Sequence, residues 1–228
     1  LLAFVLALSI ALYGGVRWWN TELPDEGERE WRAGLRKYME TTVSIDIQDE
    51  TLDQAVHTIQ FCFPQRHVNL VLSPDMAAKE TKFTFKVDNI ATKDIFPLFC
   101  KQVGAEWDIR YGAIFIYPKG AERAVQEKPK ANAAWERAIL KRLSRRVSLC
   151  MGNEEFTGAF EFIGSMTRTH ISFDPKLVNP IGVTLLSIDN MRADDVLNWM
   201  CFQTDTEWSL RQTDDGAGEI WIQPRSQK

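Results

Sequence analysis

The feature that most constrains this chain is an internal repeat, because a duplicated sequence must fold twice into the same unit. Trp31, Leu35, Met39 and Val43 return as Trp135, Ile139, Leu143 and Val147, each 104 positions later, and Leu52, Val56 and Ile59 return as Phe156, Phe160 and Ile163 at the same offset. A three-residue deletion then shifts the offset to 101, so that Pro74 meets Pro175, Asp88-Asn89 meets Asp189-Asn190, Asp94 meets Asp195, Cys100 meets Cys201 and Trp107 meets Trp208. A longer hairpin turn moves Ile114, Ile116 and Pro118 to Ile220, Ile222 and Pro224, an offset of 106. Length changes confined to turns are what a duplicated fold tolerates. The 228 residues accommodate two small domains of this kind.

Each copy reads alike. A charged helix, over 27–40 and again over 131–144, carries apolar residues at four-residue steps, the spacing of one helical face. VSIDI (43–47) alternates Val43, Ile45 and Ile47 with polar residues, as a half-buried strand requires, and VSLCM is its counterpart. A helix follows with Leu52, Val56, Ile59 and Phe63 on one face and Thr51 at the capping position. VNLVLSP and KFTFKVD predict two further strands, Thr92 opens a helix running to Gly104 with Pro97 distorting it mildly, and EWDIR and AIFIY form a hairpin about Tyr111-Gly112. The predicted order is a leading helix and then β-α-β-β-α-β-β, twice.

The ordered series TLDQAVHTIQ, VNLVLSPD, FTFKVDN and DIFPLFCKQVGAEWDIRYGAIFI resembles the short N-terminal domain shared by secretins and TonB-dependent receptors. In the second copy, FTGAFEFIGSMTRTHISFDPKL, LSIDN, DVLNWMCFQTDTEWSL and GEIWI resemble it as well. The resemblance covers about 43–118 and 147–224 and rests on the series, with no single diagnostic motif. It implies a compact fold of two helices between small sheets, used for docking onto other envelope proteins, with no catalytic residues to carry over. Neither a secretin ring domain nor an outer-membrane barrel is recognisable in these residues, so pore formation and receptor activity are not implied.

Residues 1–16, LLAFVLALSIALYGGV, carry no charge and end at Arg17, Trp18 and Trp19. Sixteen helical residues span about 24 Å, against roughly 30 Å for a hydrocarbon core, and paired tryptophans suit the headgroup region. A signal anchor is expected here, with a cleaved signal peptide as the alternative, since Ala7 and Ser9 match a cleavage site poorly. The chain is therefore expected to be α+β: an N-terminal transmembrane or signal helix (1–19), a juxtamembrane segment and leading helix (20–42), a first module (43–118), a basic linker and helix (119–146), a second module (147–224) and a tail (225–228). The modules are expected in the periplasm, or otherwise outside the cytoplasm of a bacterium, tethered to the membrane by 1–19.

Chemistry-bearing residues form no repeated set. Cys62, Cys100, Cys150 and Cys201 show no short metal-ligand spacing. The equivalent pair Cys100 and Cys201 reads as small core residues, and a Cys62–Cys100 or Cys150–Cys201 bridge is the alternative. His57, His67 and His170 have no ligand spacing and no counterpart histidine in the other copy. Asp94 and Asp195 recur at a helix start, where a carboxylate faces the positive dipole end. No nucleophile, phosphate-loop or metalloprotease signature is present, so no catalytic residue, cofactor or metal is expected. A net charge of −4 argues against a nucleic-acid partner.

Two surfaces stand out. Over 119–146 nine basic residues face three acidic ones, and Arg137, Lys141 and Arg145 recur at four-residue steps, a basic face for solvent or for anionic lipid, cell-wall polymer or an acidic partner. The helix over 131–144 is expected to bridge the modules. In the last strands, burying Ile114 and Ile116 turns Phe115 outward, and burying Ile220 and Ile222 does the same for Trp221. The 101-residue offset puts Val183 and Leu185 where the first copy has Lys82 and Thr84, extending an apolar patch unless a bulge turns them inward. These patterns predict a membrane-tethered, noncatalytic envelope scaffold with two docking modules, partnered by another envelope protein through Phe115, Trp221, Val183 and Leu185. An envelope enzyme or binder acting on cell-wall polymer or glycan is the alternative.

Overall fold

The structure, a computed structural model, describes residues 26–63, 68–79, 82–121, 126–151, 155–177 and 186–226. The first copy runs α1 (Glu26–Met39), β1 (Thr42–Thr51), α2 (Leu52–Phe61), β2 (Leu70–Leu72), α3 (Pro74–Ala77), β3 (Lys82–Ala91), α4 (Thr92–Val103), β4 (Ala105–Arg110) and β5 (Ala113–Pro118). The second runs α5 (Ala134–Leu143), β6 (Arg146–Met151), α6 (Phe156–Thr167), β7 (Ile171–Phe173), β8 (Leu186–Arg192), α7 (Ala193–Gln203), β9 (Thr206–Gln212) and β10 (Gly218–Pro224). One correction to the expected fold class follows. The anchor or signal helix over 1–19 lies outside the described residues, and among the described residues no helix is long and apolar enough to cross a membrane. What the structure holds is an α+β chain of seven described helices and ten strands.

Both copies build the same two sheets. One is a two-stranded antiparallel pair, β1-β3 or β6-β8; the other has three strands in the order β2-β5-β4 or β7-β10-β9, its central strand parallel to the first and antiparallel to the last. Local chemistry sets the boundaries. Thr51 accepts from Gln54 N while its own N–H donates to Gln54 Oε1 at 3.0 Å, a capping box that starts α2. Gly104, at φ 69°, ends α4 in the left-handed conformation. Pro74 both stops β2 and opens the four-residue α3, which the sequence pattern did not predict. The leading helix of the second copy starts at 134, later than expected, where Glu136 accepts from the backbone N–H groups of Asn132 and Ala133.

The repeated Asp-Asn dipeptide marks a bulge. In the first copy Asp88 and Asn89 together oppose Ser44, Asn89 takes φ 48°, and Ser44 Oγ donates to Asp88 Oδ1 at 2.6 Å while accepting from Asn89 N at 2.9 Å. Asp189, Asn190 (φ 50°) and Ser148 repeat this at 2.7 and 3.0 Å. Asparagine tolerates the positive φ because its short polar side chain suits the left-handed region.

Each copy has its own core, but one is not confined to its copy. The first packs Ile45, Ile47, Ile59, Phe96, Phe99, Ile114 and Ile116. The second gathers Phe160, Trp199, Phe202, Trp208, Ile220 and Ile222, and takes in Val71, Ala113 and Phe115 from the first copy. The helix expected to bridge the copies instead buries Ile139 and Leu143 in the second core, against β10 and α7. Gly218 permits that approach, since a Cβ there would overlap the Trp135 ring and the Ile139 side chain.

Candidate functional site

Alternation in β5 works as the sequence pattern requires: Ile114 and Ile116 face their own core and Phe115 faces the other way. The expectation that Phe115 is an exposed docking residue is corrected, because α7 of the second copy lies on that outer face and leaves Phe115 only 1% exposed. The Phe115 ring stands 5.2 Å from both Trp199 and Phe202, and Tyr117 stacks beside it at 5.2 Å. Helix α7 is apolar on more than one side, and all eleven of its residues are buried. A helix with apolar residues on more than one side is a sign of burial between layers, and in DVLNWMCF Val196, Leu197, Trp199, Met200 and Phe202 spread beyond one face.

Polar groups complete the seam. Asn69, 1% exposed, donates from Nδ2 to the carbonyls of Gly112 and Asp189 and accepts from Asp189 N at 2.7 Å, so the first copy reads the backbone of the second copy's bulge. Gln60 donates to Ser187 O at 2.8 Å, and Trp199 Nε1 to Tyr111 O at 3.3 Å. Sequence reasoning missed these because an amide side chain gives no sign of which backbone it will meet.

The linker adds a strap. Gln126 pairs with both backbone groups of Trp208, and Lys128 Nζ lies 2.8 Å from Asp195 Oδ1 and 3.2 Å from Asp194 Oδ1. Arg192 holds Asp194 through two hydrogen bonds of 2.9 and 2.6 Å. Burial, with Asp194 alongside, pushes the Asp195 carboxyl up to about 7 against the pull of Lys128. Burial also works to lower the Lys128 ammonium, but the two aspartates more than offset it and raise it. Asp94, the equivalent of Asp195, is exposed at its helix start, so a shared sequence position serves two environments. A cleft lined by Trp31, Asn69, Arg146, Arg192 and Asp195 has room for about one water.

The matching face of the second copy, on β7-β10-β9, has no described module against it. Trp221 is half-buried at the Phe115 position, with the Arg211 guanidinium 4.7 Å from its ring centre. Arg110 holds the same place in the first copy, 5.7 Å from the Phe115 ring and 5.8 Å from Tyr117. Around Trp221 the positions of Val71, Ala113 and Tyr117 are taken by Ser172, Glu219 and Gln223. Ser172 Oγ donates to Glu219 at 2.6 Å, and His170 Nε2 lies 3.7 Å from the same carboxylate. Glu207 accepts from Gln223 Nε2 at 2.7 Å and from Ser226 Oγ at 2.9 Å; although partial burial opposes it, these bonds hold Glu207 below the usual carboxylate range, so it is charged. Val183 and Leu185, the other expected docking residues, lie outside the described residues.

The expected basic face is not continuous. Arg137 and Lys141 are exposed on α5, Arg137 donating to Asn132 O, but α5 ends at Leu143 and Arg145 lies beyond it. The four cysteines are free thiols, which corrects the disulfide alternative; burial pushes Cys100 and Cys201 up to about 12, as inert core residues. His57 packs edge-on against Phe61, and His67 lies outside the described residues. Among the described residues no three His, Cys, Asp or Glu side chains are grouped to hold a metal ion.

Fold and seam define a class: a duplicated α+β protein in which one module's sheet seats the other module's helix. No protein-family profile, curated protein or solved structure matches the chain.

Proposed function

We propose that this chain is a noncatalytic protein-interaction scaffold of the bacterial cell envelope, presenting the outer face of β7-β10-β9 to a protein partner. One observation carries the reading: the face that the first copy uses to bind α7 exists again on the second copy, with Trp221 at its centre and a hydrogen-bonded polar rim of Ser172, Glu207, Glu219 and Gln223. An aromatic anchor inside a polar rim is the anatomy of a reversible protein interface. The envelope setting rests on the resemblance of both copies to the short N-terminal domain of secretins and TonB-dependent receptors. The test is cross-linking capture from envelope extracts with the full chain, Trp221→Ser and, as control, Phe162→Ser, which alters an exposed residue on α6. A partner captured by the full chain and by Phe162→Ser but lost with Trp221→Ser is expected; equal capture by all three overturns the reading.

A further inference from the structure

We propose that copies of this chain join head to tail, the outer face of β7-β10-β9 of one copy seating on α4 and the Asp88-Asn89 bulge of the next, as the first module seats the second within each chain. The inference rests on the reading of that sheet face as a docking surface and names its partner as a second copy.

Position by position, the two unmated faces are the counterparts of the two mated ones. On the sheet side Trp221 stands for Phe115, Arg211 for Arg110 and His170 for Asn69. Arg211 lies over Trp221 much as Arg110 lies over Phe115. On the helix side Leu98 stands for Trp199 and Lys101 for Phe202. Leu98 is 43% exposed, one of few large apolar side chains at the surface among the described residues, whereas Trp199 is fully buried. The bulge that Asn69 reads at Asp189 is rebuilt at Asp88 with the same serine contact and the same left-handed asparagine.

The charges agree in sign. Lys101 lies on the helix side and Glu207 on the sheet side; Asp94 and Arg211 make a second opposite pair, while Lys93 already meets Glu40 and the buried Glu219 meets Arg211 within the chain. Carrying the internal geometry across sets Lys101 over the Trp221 ring, a cation–π pairing, and His170 at the Asp88-Asn89 bulge, where a neutral imidazole has one donor and one acceptor to offer. Fewer apolar groups meet than inside the chain, so this junction is reversible. Because it joins different patches, it propagates into rings or filaments and does not close as a two-fold dimer.

Sedimentation velocity on the full chain over a concentration series tests this. The unaltered chain is expected to form oligomers that lengthen with concentration. Leu98→Asp, which spoils only the helix face, and Trp221→Asp, which spoils only the sheet face, are each expected to be monomers, with association weakened by roughly tenfold or more. Mixed together they retain one good face of each kind and are expected to give a one-to-one dimer and nothing larger. Lys101→Glu and Arg211→Glu, both surface changes, repeat the experiment should the Trp221 variant not fold. An unaltered chain that stays monomeric, single variants that still oligomerise, or a mixture that does not pair overturns the proposal. If the unaltered chain is monomeric yet Trp221→Ser loses an envelope partner, this inference falls and the docking reading stands; if neither is seen, both fall.

Discussion

Helices α4 and α7 occupy the same place in two copies of one fold and live in different surroundings. α7 is buried along its whole length, with the first module's sheet on its far side, while α4 turns Asp94, Pro97, Leu98 and Lys101 to solvent. The sheets differ in the complementary way, Phe115 covered and Trp221 half-open. Duplication thus produced two sheet faces and two helix faces, and the seam joins one of each. The apolar residues are concentrated on the joined pair, and polar residues mark the other two.

The comparison breaks most visibly at the helices. Trp199→Ala removes a fully buried ring from the seam and is expected to destabilise the chain by about 3–5 kcal/mol, whereas Leu98→Ala is expected to change stability by no more than about 0.5 kcal/mol. Denaturant unfolding of both variants measures this, and similar losses would mean that the two helices are not differently covered. A smaller effect separates Asn69 from His170. Asn69→Ala strands the backbone N–H and carbonyl of Asp189 inside the seam and should cost about 1–3 kcal/mol, while His170→Ala, at a side chain 74% exposed, should leave the unfolding midpoint unmoved.

The buried Asp195 carboxyl is tested by pH. The folded-state Asp195 carboxyl is raised to about 7, above its unfolded value, so its protonation stabilises the fold. That contribution is complete below about 4, the ordinary carboxylate value, and is lost as pH rises through about 7. Asp195→Asn is expected to flatten the fall in melting temperature between those values. Parallel pH profiles for the unaltered chain and Asp195→Asn would show that burial does not govern this carboxyl.

How much of this was legible in the sequence depends on whether the signal is local. Val43, Ile45 and Ile47 announce a strand and Thr51 with Gln54 a helix start, because backbone geometry and capping act over a few residues. The Asp-Asn repeat was visible as a repeat, but its cause was not, since the bulge needs Ser44 or Ser148 from another strand. The error at Phe115 has the same origin. Alternation tells which side chains share a face of a strand, and it is silent on what lies beyond that face.

The sequence by itself determined the duplicated α+β units, their order of helices and strands apart from the short α3, and the opposition of Phe115 to Ile114 and of Trp221 to Ile220, since these follow from periodicity and short-range hydrogen bonding. Tertiary structure alone decided that Phe115 is core, that Asn69 and Gln60 tie one module to the other, that the linker straps on through Gln126 and Lys128, and that Trp221 is left half-open where Phe115 is covered. The physical reason is range: those outcomes depend on groups brought together across 67 (Lys128 to Asp195) to 127 (Gln60 to Ser187) positions of chain, where packing and desolvation are properties of the assembled molecule and of no local stretch.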